Sequence, residues 1–479
     1  MNHPTCRRVS ADQPDTQERV QVNLREFIAQ ARDRGWLVTI EDEINPNLEM
    51  ARILSAHDGV PILFTRVRGS PYSVVAGVCS DRAYFALALD VPPDRLLFTL
   101  TEALAHPVTP PLVADAPCQE VIEPDVDLTA LPILRHLPDD AGPYVTAGVC
   151  VIKDPDYGRN VAFHRLLRLD ERRFTVRLVE GRGTDTAWRK AQADLEVAIC
   201  LGAPIQVLVA AATSPPKGVD ELSIAHALAL TPLVKCRTKD LEVPAEAEFV
   251  LEGRITHQVT AEGPFIDLTE TWDIVRQQPI IEIDCITHRR QPIYQALLPG
   301  KLEHKLLMGL PREPTIYAAV NQVCDCRNVC LTAGGMFWLH AVVQIAKRHP
   351  DDGRRAIEAA FRGHTSLKHV VVVDEDVDIF DPAAVEWAIA TRFQASRDLV
   401  VLENQPSSSL DPSATHVPGQ KARTSKLGLD ATIPWIAPDG HLRSEEERAA
   451  FRRVTYERCP ALAKCRAPRT GGEAWSAKR

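Results

Sequence analysis

The chain has 479 residues, of which 45% are hydrophobic and 25% charged, and this length predicts two or three domains. The 64 acidic residues outnumber the 55 basic ones, for a net charge of -9, which argues against a nucleic-acid-binding surface. No apolar run reaches the ~20 residues of a membrane span, and the N-terminus lacks the apolar core of a secretion signal. We therefore expect a cytoplasmic protein with no membrane and no nucleic-acid partner.

The 12 cysteines are scattered along a chain without a secretion signal, which favours reduced thiols over a disulfide framework. Cys150, Cys200 and Cys285 lie in apolar segments and are predicted to be small core residues. The one cluster, VCDCRNVC, has no second pair or histidine at zinc-ribbon spacing. The cysteines thus indicate no metal centre.

The first elements in chain order predict an N-terminal α/β domain over residues 21–115, after a disordered segment 1–20. A helix is predicted for LREFIAQARDR, with Asn23 as its N-cap. Three strands and two helices follow in the order WLVTI, VPILFTRV, SPYSVVAGV, DRAYFALAL and DRLLFTLTEALA. The Pro-rich segment HPVTPPLVADAP then indicates a linker.

Residues 116–314 read as strands separated by charged turns, a pattern typical of a barrel or sandwich. The predicted strands include YVTAGVCVIKDP, RFTVRLVEG, APIQVLVAAAT, EAEFVLEGRITHQVT and PIIEIDCITH. Over residues 315–440 the α/β alternation resumes, with KHVVVVDEDVDIF as a buried strand. Asp381 and Pro382 supply the N-cap and first residue of the helix AAVEWAIATRF. Residues 441–479 form a polar C-terminal tail.

Two short motifs carry polar side chains suited to acid–base or anion chemistry. In AEGPFID, a Gly-Pro turn separates Glu262 from Asp267 and places both on a loop at a sheet edge. Close carboxylates can have pKa values pushed apart, so that one donates a proton; the alternative is a solvated turn. In NVAFHR, Asn160 and Arg165 suit a phosphate or carboxylate with a nearby cation, although an arginine after a strand is commonplace.

A third motif, AAATSPPKGVDE, combines small residues with a carboxylate. Ala211, Ala212 and Thr213 permit close approach of the backbone to a ligand. Glu221 begins a predicted helix, where a carboxylate commonly compensates the helix dipole. Its oxygen atoms also suit Mn²⁺ or Mg²⁺.

The order of these motifs, followed by VDEDVDI and WAIATR, resembles the UbiD family of prenylated-flavin decarboxylases. The segments HRRQPIYQALLPGKLEH and KLGLDAT are similar to this family as well, and the resemblance runs from Leu24 to Trp435. It implies a central split β-barrel like that of flavin reductases, between an N-terminal α/β domain and a C-terminal α/β oligomerisation domain. The implied cofactor is prenylated FMN, whose phosphate is held through Mn²⁺ (or Mg²⁺) and K⁺.

The resemblance also implies roles for individual residues. Arg165 binds the substrate carboxylate, Glu262 orients Arg165, and Asp267 is the general acid. The family often has Glu at this last position, so the shorter Asp implies a closer substrate or a bridging water. The cofactor contacts implied by position are Asn160, Phe163, His164, Arg165, Arg182, Ala211, Ala212, Thr213, Glu221 and Lys368. For His164 the alternative is a core histidine.

The implied metal ligands are Asn160 and Glu221, but the sequence departs from the family at the third. Gly183 stands where the family has a ligating His in a pattern like Arg-His-Thr. Either a water replaces that ligand, the metal binds more weakly, or Glu180 or Asp185 substitutes. A chain that could not hold the cofactor would be a weakly active or repurposed relative.

The segment TAGGMFWLHAVVQ, together with the preceding Asn321, is predicted to line the substrate pocket. Met336, Trp338 and His340 suit a flat or apolar acid with one hydrogen-bonding edge; the alternative is a helix core. The segment holds no additional arginine for a second carboxylate. It therefore favours a monocarboxylate: an aromatic, heteroaromatic or α,β-unsaturated acid.

The leading hypothesis is a non-oxidative, reversible decarboxylase that is a homo-oligomer (dimer or hexamer) and receives its cofactor from a flavin prenyltransferase. One alternative is a catalytically silent assembly subunit, which Gly183 would favour. Another is an FMN-dependent split-barrel oxidoreductase, but no convincing GxGxxG segment supports nicotinamide binding.

Overall fold

The computed structural model describes residues 22–454 except 124, 418 and 419. The predicted disorder of residues 1–20 and most of the predicted tail lie outside these residues. No helix within the described part of the chain is long and apolar enough to cross a membrane.

The N-terminal part of the described chain is mixed α/β, and side-chain capping explains where its first helix begins. The Asn23 side chain accepts hydrogen bonds from the Arg25 and Glu26 backbones, and Glu26 completes a capping box. The elements are α1 (Leu24–Asp33), β1 (Val38–Ile44), α2 (Glu49–Ala56), β2 (Ile62–Val67), β3 (Ser73–Ala76), α3 (Arg82–Ala88) and α4 (Leu96–Ala105), with a 3₁₀ turn at Pro93–Arg95.

The middle of the chain is built around one large antiparallel sheet. Its first strands are β4 (Val121–Glu123), β5 (Tyr144–Val145), β6 (Val149–Asp154), β7 (Gly158–Phe163), β8 (Leu166–Arg168) and β9 (Arg173–Val176), after a 3₁₀ turn at Pro117–Gln119. Then come α5 (Gly183–Lys190), β10 (Leu195–Leu201), α6 (Ile205–Ala211), α7 (Glu221–Leu228), β11 (Leu233–Lys235) and β12 (Glu242–Pro244). The last are β13 (Phe249–Glu262), β14 (Phe265–Ile266), β15 (Trp272–Asp273), β16 (Arg276–His288) and β17 (Ile293–Gln295).

The pairing of these strands shows an open sheet. The order is β5-β8-β9-β16-β13-β10-β6-β7, with β4 also on β16. No pairing joins β5 to β7 within the described residues, so no closed barrel is found there. The split β-barrel thus remains a prediction. Five strands of this region lie outside the large sheet: β11 pairs with β12 and β14 with β15, whereas β17 pairs in parallel with β3 and completes the N-terminal sheet β1-β2-β3-β17.

The C-terminal part is an α/β unit with a five-stranded sheet of order β18-β19-β20-β22-β21. Its elements are α8 (Leu302–Gly309), α9 (Glu313–Asn321), β18 (Asp325–Leu331), β19 (His340–Ala346), α10 (Asp352–Gly363), β20 (His369–Asp374), α11 (Pro382–Arg392), α12 (Ala395–Asp398), β21 (Leu399–Pro406), β22 (Arg423–Asp430) and α13 (Glu445–Ala449), with a 3₁₀ turn at Leu310–Arg312. The predicted cap is confirmed, since the Asp381 side chain accepts from the Ala383 N–H.

Both faces of the C-terminal sheet are covered, which explains the unbroken valine run of β20. Val370 and Val372 lie in a core with α9 and α10. Val371 and Val373 lie in a second core with α11. A strand covered on both faces is apolar at every position.

Two predictions about secondary structure are wrong. The segment APIQVLVAAAT forms α6 rather than a strand, after Pro204 at its N-cap. Every residue of α6 is buried, so no polar face reveals the helical period. The alternative of a helix core for TAGGMFWLHAVVQ is also wrong, because a turn leads directly into β19.

Candidate active site

A buried arginine–carboxylate pair lies where two strands of the central sheet end. Arg165 follows β7 by two residues, and Glu262 is the last residue of β13. Arg165 Nε and Nη2 donate to the two carboxylate oxygens of Glu262 at 2.8 and 2.9 Å. This bidentate geometry fixes the guanidinium plane. Glu262 is fully buried and, as the last residue of β13, still pairs with Arg276 of β16, so the prediction of a loop is wrong for this residue.

Two aromatic side chains hold the pair in place. Tyr144 Oη donates to Glu262 Oε1 at 3.2 Å and accepts from the Gly263 N–H at 3.2 Å. The Phe265 ring packs against Tyr144 with centroids 4.3 Å apart, and the Arg165 guanidinium lies 5.0 Å from the Phe265 ring centroid. Burial, followed by the charge of Glu262, raises the pKa of Tyr144. The phenol is therefore a neutral donor that supports the Glu262 carboxylate.

Two aspartates contact the same guanidinium from its other side. Arg165 Nη1 lies 3.4 Å from Asp267 Oδ2, and Nη2 donates to Asp273 Oδ2 at 2.9 Å. Arg276 Nη1 also donates to Asp273, at 2.7 Å. Burial opposes ionisation of Asp273, but the hydrogen bonds and charges of Arg276 and Arg165 hold its pKa below the ordinary value. Asp273 is thus an ionised partner of Arg165, whereas Asp267 makes only a long contact.

An imidazole from the start of the C-terminal unit also faces these charges. Burial lowers the pKa of His304, which interacts electrostatically with Asp267 and Arg165. His304 Nδ1 accepts from the Gly300 N–H at 3.0 Å. The ring is therefore neutral and carries its proton on Nε2.

The two predicted metal ligands are adjacent in space. Asn160 Nδ2 donates to Glu221 Oε1 at 3.1 Å, and the Val161 N–H donates to Oε2 at 2.9 Å. Burial raises the pKa of Glu221 to about 7, because these hydrogen bonds offset only part of the desolvation cost. No ion pair to Glu221 occurs among the described residues. The donor set of one amide oxygen and one uncompensated carboxylate suits a hard divalent cation.

Gly183 lies directly against this pair. A Cβ at Gly183 would fall 2.7 Å from Asn160 Oδ1, so the Asn160 carboxamide occupies the space that a side chain would need. The two suggested substitutes are engaged elsewhere. Glu180 is exposed and pairs with Arg177, and Asp185 binds Arg189 and the Gly181 N–H. Gly183 itself is exposed to solvent.

The other predicted cofactor residues fall into three places. His164 lies between Thr184 Oγ1, at 2.9 Å, and the Arg177 carbonyl, and Thr184 in turn contacts Asn160. Burial lowers the pKa of His164 to about 4. Partly buried Phe163 packs on the core beneath α6. The remaining ones are exposed Arg182 before α5, Ala211, Ala212 and Thr213 at the end of α6, and Lys368, which bonds Asp411 and Ser413.

The predicted substrate residues separate into two groups. Trp338 is buried and donates from Nε1 to Ser408 Oγ at 3.1 Å. His340 Nδ1 is 3.0 Å from Thr332 Oγ1, and burial lowers the pKa of His340 to about 4. Met336 lies in the same turn with a positive φ of 58°. Asn321 lies at the exposed end of α9, where its side-chain Oδ1 accepts from the Cys326 N–H.

No motif indicated three residues of the site: Tyr144, Asp273 and His304. Asp273 follows Glu262 by eleven positions in TWDIV, and only the β14–β15 hairpin turns it back toward Arg165. Tyr144 lies in a segment with no motif of its own. His304 stands in the family-like segment LLPGKLEH, which was the one available signal.

Comparison with known proteins agrees with this architecture. Family models of 3-octaprenyl-4-hydroxybenzoate carboxy-lyase match the N-terminal domain over residues 28–104, the Rift-related domain over 112–302 and the C-terminal domain over 305–431. Anhydromevalonate phosphate decarboxylase of Methanothermobacter thermautotrophicus is 42% identical over 86% of this chain and 97% of its own.

Solved structures of the UbiD-class enzyme HmfF from Pelotomaculum thermopropionicum are similar as well. The complex with FMN has a TM-score of 0.85 and 39% identity, and covers 92% of this chain and 98% of HmfF. An evolved dimeric form in complex with prFMN has a TM-score of 0.82 and 38% identity, and covers 93% and 98%.

Fold and site together define a carboxy-lyase of mixed α/β architecture with an antiparallel central sheet. The chain belongs to the UbiD family and is a decarboxylase, which confirms the resemblance and the enzyme class predicted from its motifs.

Proposed function

We propose that this chain is a prenylated-FMN-dependent, reversible decarboxylase of an aromatic, heteroaromatic or α,β-unsaturated carboxylic acid. The observation that carries the proposal is the buried, bidentate Arg165–Glu262 pair. Further support comes from HmfF, a relative in complex with FMN and prFMN, and from the decarboxylase name of the archaeal relative.

Arg165 binds the substrate carboxylate through Nη1. Glu262 takes Nε and one hydrogen of Nη2, and Asp273 also contacts Nη2. Among the described residues, the one hydrogen-bond partner of Nη1 is Asp267, at 3.4 Å. A substrate carboxylate would displace this long contact at small cost. Glu262 and Asp273 hold the guanidinium still, so binding costs little side-chain entropy.

Asp267 donates the proton that replaces CO₂ on the substrate carbon. Asp273 is unsuited to this role, because Arg276 and Arg165 keep it ionised. A substrate carboxylate on Arg165 takes over the charge pairing of Asp267, and a carboxyl next to another carboxylate takes up a proton more readily. His304, neutral and beside Asp267, adds no competing positive charge. The proton therefore leaves from an Asp267 carboxyl oxygen.

The cofactor, when bound, supplies the electron sink that makes loss of CO₂ possible. Asn160 and Glu221 would hold its phosphate through Mn²⁺ or Mg²⁺, with water at the position of Gly183. The buried, uncompensated Glu221 carboxylate fits a cation. Ala211, Ala212 and Thr213, at the end of α6, would contact the cofactor, whose phosphate K⁺ would also help to hold, and Arg182 lies beside Gly183. Lys368 would contribute positive charge only after release from Asp411.

We also propose a homo-oligomer that receives its cofactor from a flavin prenyltransferase. The edge strand β21 exposes Leu399 and Val401, and unpaired apolar edges favour association with another copy. The dimeric form of HmfF supports a dimer as one arrangement.

The test is CO₂ release by protein co-expressed with a flavin prenyltransferase, over a panel of aromatic, heteroaromatic and unsaturated acids. We expect a flavin absorbance spectrum and CO₂ from at least one acid. Arg165→Lys should retain the flavin and lose turnover, because a lysine cannot bridge Glu262 and substrate in one plane. Arg254→Gln, in an exposed ion-pair group with Asp194, Glu282 and Asp284, is the matched control. Turnover unchanged in Arg165→Lys would contradict the proposal.

A further inference from the structure

A cavity that contains three arginines lies where the N-terminal sheet meets the central part of the chain. Its volume is about 330 Å³, which is enough for a small metabolite. No aspartate or glutamate lines it within the described part of the chain. Since the whole chain has a net charge of -9, this lining is a local reversal of charge that favours an anionic ligand. We call it the arginine cavity, and its polar lining is Asn47, Arg68, Ser70, Thr129, Arg135 and Arg168.

Two of the guanidinium groups have hydrogen-bond donors to spare. Arg135 Nη2 donates to the carbonyls of Pro138 and Asp140 at 2.6 and 3.1 Å, but Arg135 Nε is buried without a hydrogen-bond partner in the described structure. Among the described residues, the Arg168 guanidinium donates only from Nη1, to the Leu128 carbonyl at 3.1 Å. These carbonyls orient the two side chains and leave their charge in place. A buried donor without an acceptor costs free energy that an anionic ligand would recover.

The acidic residues near these two arginines are engaged elsewhere. Arg135 interacts electrostatically with Asp140, and Arg168 with Asp127, but no ion pair to either arginine occurs among the described residues. Asp140 Oδ2 accepts from two backbone N–H groups, those of residues 136 and 137. Asp127 Oδ1 accepts from the backbone and the hydroxyl of Thr129. The positive charge of the cavity is therefore not paired inside the protein.

The remaining polar groups of the cavity are also available to a ligand. Arg68 pairs with Glu43 at 3.3 Å, and both side chains are exposed, so this pair is weak and a ligand can compete for the arginine. The side-chain amide of Asn47 makes no hydrogen bond within the described part of the chain. These groups add a third cation and a neutral donor to the cavity.

Contacts between its walls form the cavity without a ligand. Ser70 Oγ, on the turn after β2, donates to the Ala130 carbonyl at 2.6 Å. The Leu48 N–H, after β1, donates to the Arg135 carbonyl at 2.9 Å. The N-terminal sheet and the segment that leads into β5 are thus bonded to each other on two sides of the cavity. A preformed cavity binds a ligand at a smaller entropic cost.

The arginine cavity is separate from the carboxylate site but shares backbone elements with it. None of its lining residues belongs to the predicted catalytic, cofactor, metal or substrate residues. Pro143 lines the cavity, accepts from the Arg168 N–H at 3.0 Å, and directly precedes Tyr144. Tyr144 in turn donates to Glu262. A ligand in the cavity would therefore stabilise the strands that carry the active site without contacting the substrate.

We propose that the arginine cavity binds a small organic anion with two or more carboxylate or phosphate groups, and that this anion is not the substrate. Guanidinium groups on three different segments suit several separated anionic groups better than a single one. The inference goes beyond the proposed decarboxylase function, because it concerns residues with no part in that site. It is tested by binding alone, so it can fail or succeed whatever acid the enzyme decarboxylates.

The test is calorimetry with the flavin-loaded protein, in which the cofactor occupies its own phosphate site. The probes are tricarballylate and fructose 1,6-bisphosphate, and their uncharged counterparts are glycerol and fructose. We expect saturable binding of at least one polyanion, with one site per chain, and no binding of its counterpart. The bound polyanion should also raise the melting temperature, because it binds only the folded chain.

Four variants locate the binding site. Arg168→Gln and Arg135→Gln should each weaken polyanion binding about 10- to 100-fold, as expected for loss of charge-assisted hydrogen bonds. Asn47→Asp adds a negative charge to the cavity and keeps the size of the side chain, so it should weaken binding even if the arginine variants fail to fold. Arg348→Gln, whose exposed arginine pairs with Asp325, is the matched control and should not change the affinity.

Three results would overturn the inference. The first is the absence of saturable binding of either polyanion up to about 10 mM, a dissociation constant too weak for a specific site. The second is an unchanged affinity in Asn47→Asp together with folded Arg168→Gln. The third is a loss of affinity in Arg165→Lys as large as that in Arg168→Gln, which would assign the bound anion to the carboxylate site.

Discussion

Replacing Glu262 with glutamine removes the charge that orients Arg165 and keeps the size of the side chain. The carboxylate accepts two hydrogen bonds from the guanidinium and one from Tyr144. A glutamine amide turns one guanidinium bond into a contact between two donors. Breaking a buried ion pair from one side costs ~3–5 kcal/mol. Since Asp273 still contacts Nη2 at 2.9 Å, we expect the lower end of this range.

About 3 kcal/mol corresponds to roughly a 100-fold smaller fraction of Arg165 in the carboxylate-binding orientation. We therefore expect kcat/KM of Glu262→Gln to fall about 100-fold, measured as CO₂ release by the flavin-loaded enzyme. Flavin absorbance should be unchanged, because Glu262 contacts Arg165 and is not one of the predicted cofactor residues.

Asp273→Asn is the matched control on the other side of the guanidinium. It weakens one hydrogen bond at Nη2 and leaves the bidentate pair intact, so a loss of only about 10-fold is expected. Circular dichroism and thermal melting check that both variants fold. Glu262→Gln with kcat/KM within about threefold of the unmodified enzyme, and with its flavin bound, would refute the assigned role of the pair.

Three further outcomes are expected. Asp267→Asn should lower kcat by about 10²–10⁴ with a smaller change in KM, because it removes the proton donor; Asp267→Glu should recover most of the rate, and full activity of Asp267→Asn would exclude it as the donor. The pKa of the Glu221 carboxyl is raised from 4.5 to about 7 on folding, so the folded protein binds this proton more tightly than the unfolded chain. Its contribution to the free energy of unfolding therefore falls as the pH rises through that interval, by up to about 3 kcal/mol. In metal-free urea unfolding, Glu221→Gln should reduce the difference in the free energy of unfolding between pH 5 and pH 8. An unchanged difference would contradict the raised pKa of Glu221. Fully buried Arg392 binds Asp374 and Asp376 at 2.7–3.0 Å, so Arg392→Ala should cost about 3–5 kcal/mol of stability, and a loss under about 1 kcal/mol would show that the pair contributes little.

The ion pairs of Arg392 show a physical link between two sequence motifs that identify the family. The sequence alone does not reveal this contact. VDEDVDI and WAIATR marked the family by their co-occurrence. In the structure, Arg392 of the second motif is bound by Asp374 and Asp376 of the first. The two motifs therefore form one charge network around the buried Arg392 guanidinium, and this network has no assigned part in substrate binding.

Features that depend on contacts between residues close in sequence were predictable from the sequence itself. Asn23 and Asp381 cap their helices through hydrogen bonds to neighbouring backbone N–H groups, and these depend on residues two or three positions away. The order of motifs was sufficient to identify the family and the enzyme class. A helix that is buried on every side is not predictable in the same way. The sequence of α6 has no polar face, so the pattern predicts a strand there.

What only the tertiary structure decided is how distant charges combine. Arg165 and Glu262 are 97 positions apart, and Arg312 and Ala212 are 100 apart. No local pattern encodes such contacts, because strand pairing and helix packing bring these segments together. The sequence by itself determined that an arginine and two acids suited to decarboxylation were present. The fold decided that buried Glu262 fixes the Arg165 guanidinium and that Asp273 contacts the same guanidinium.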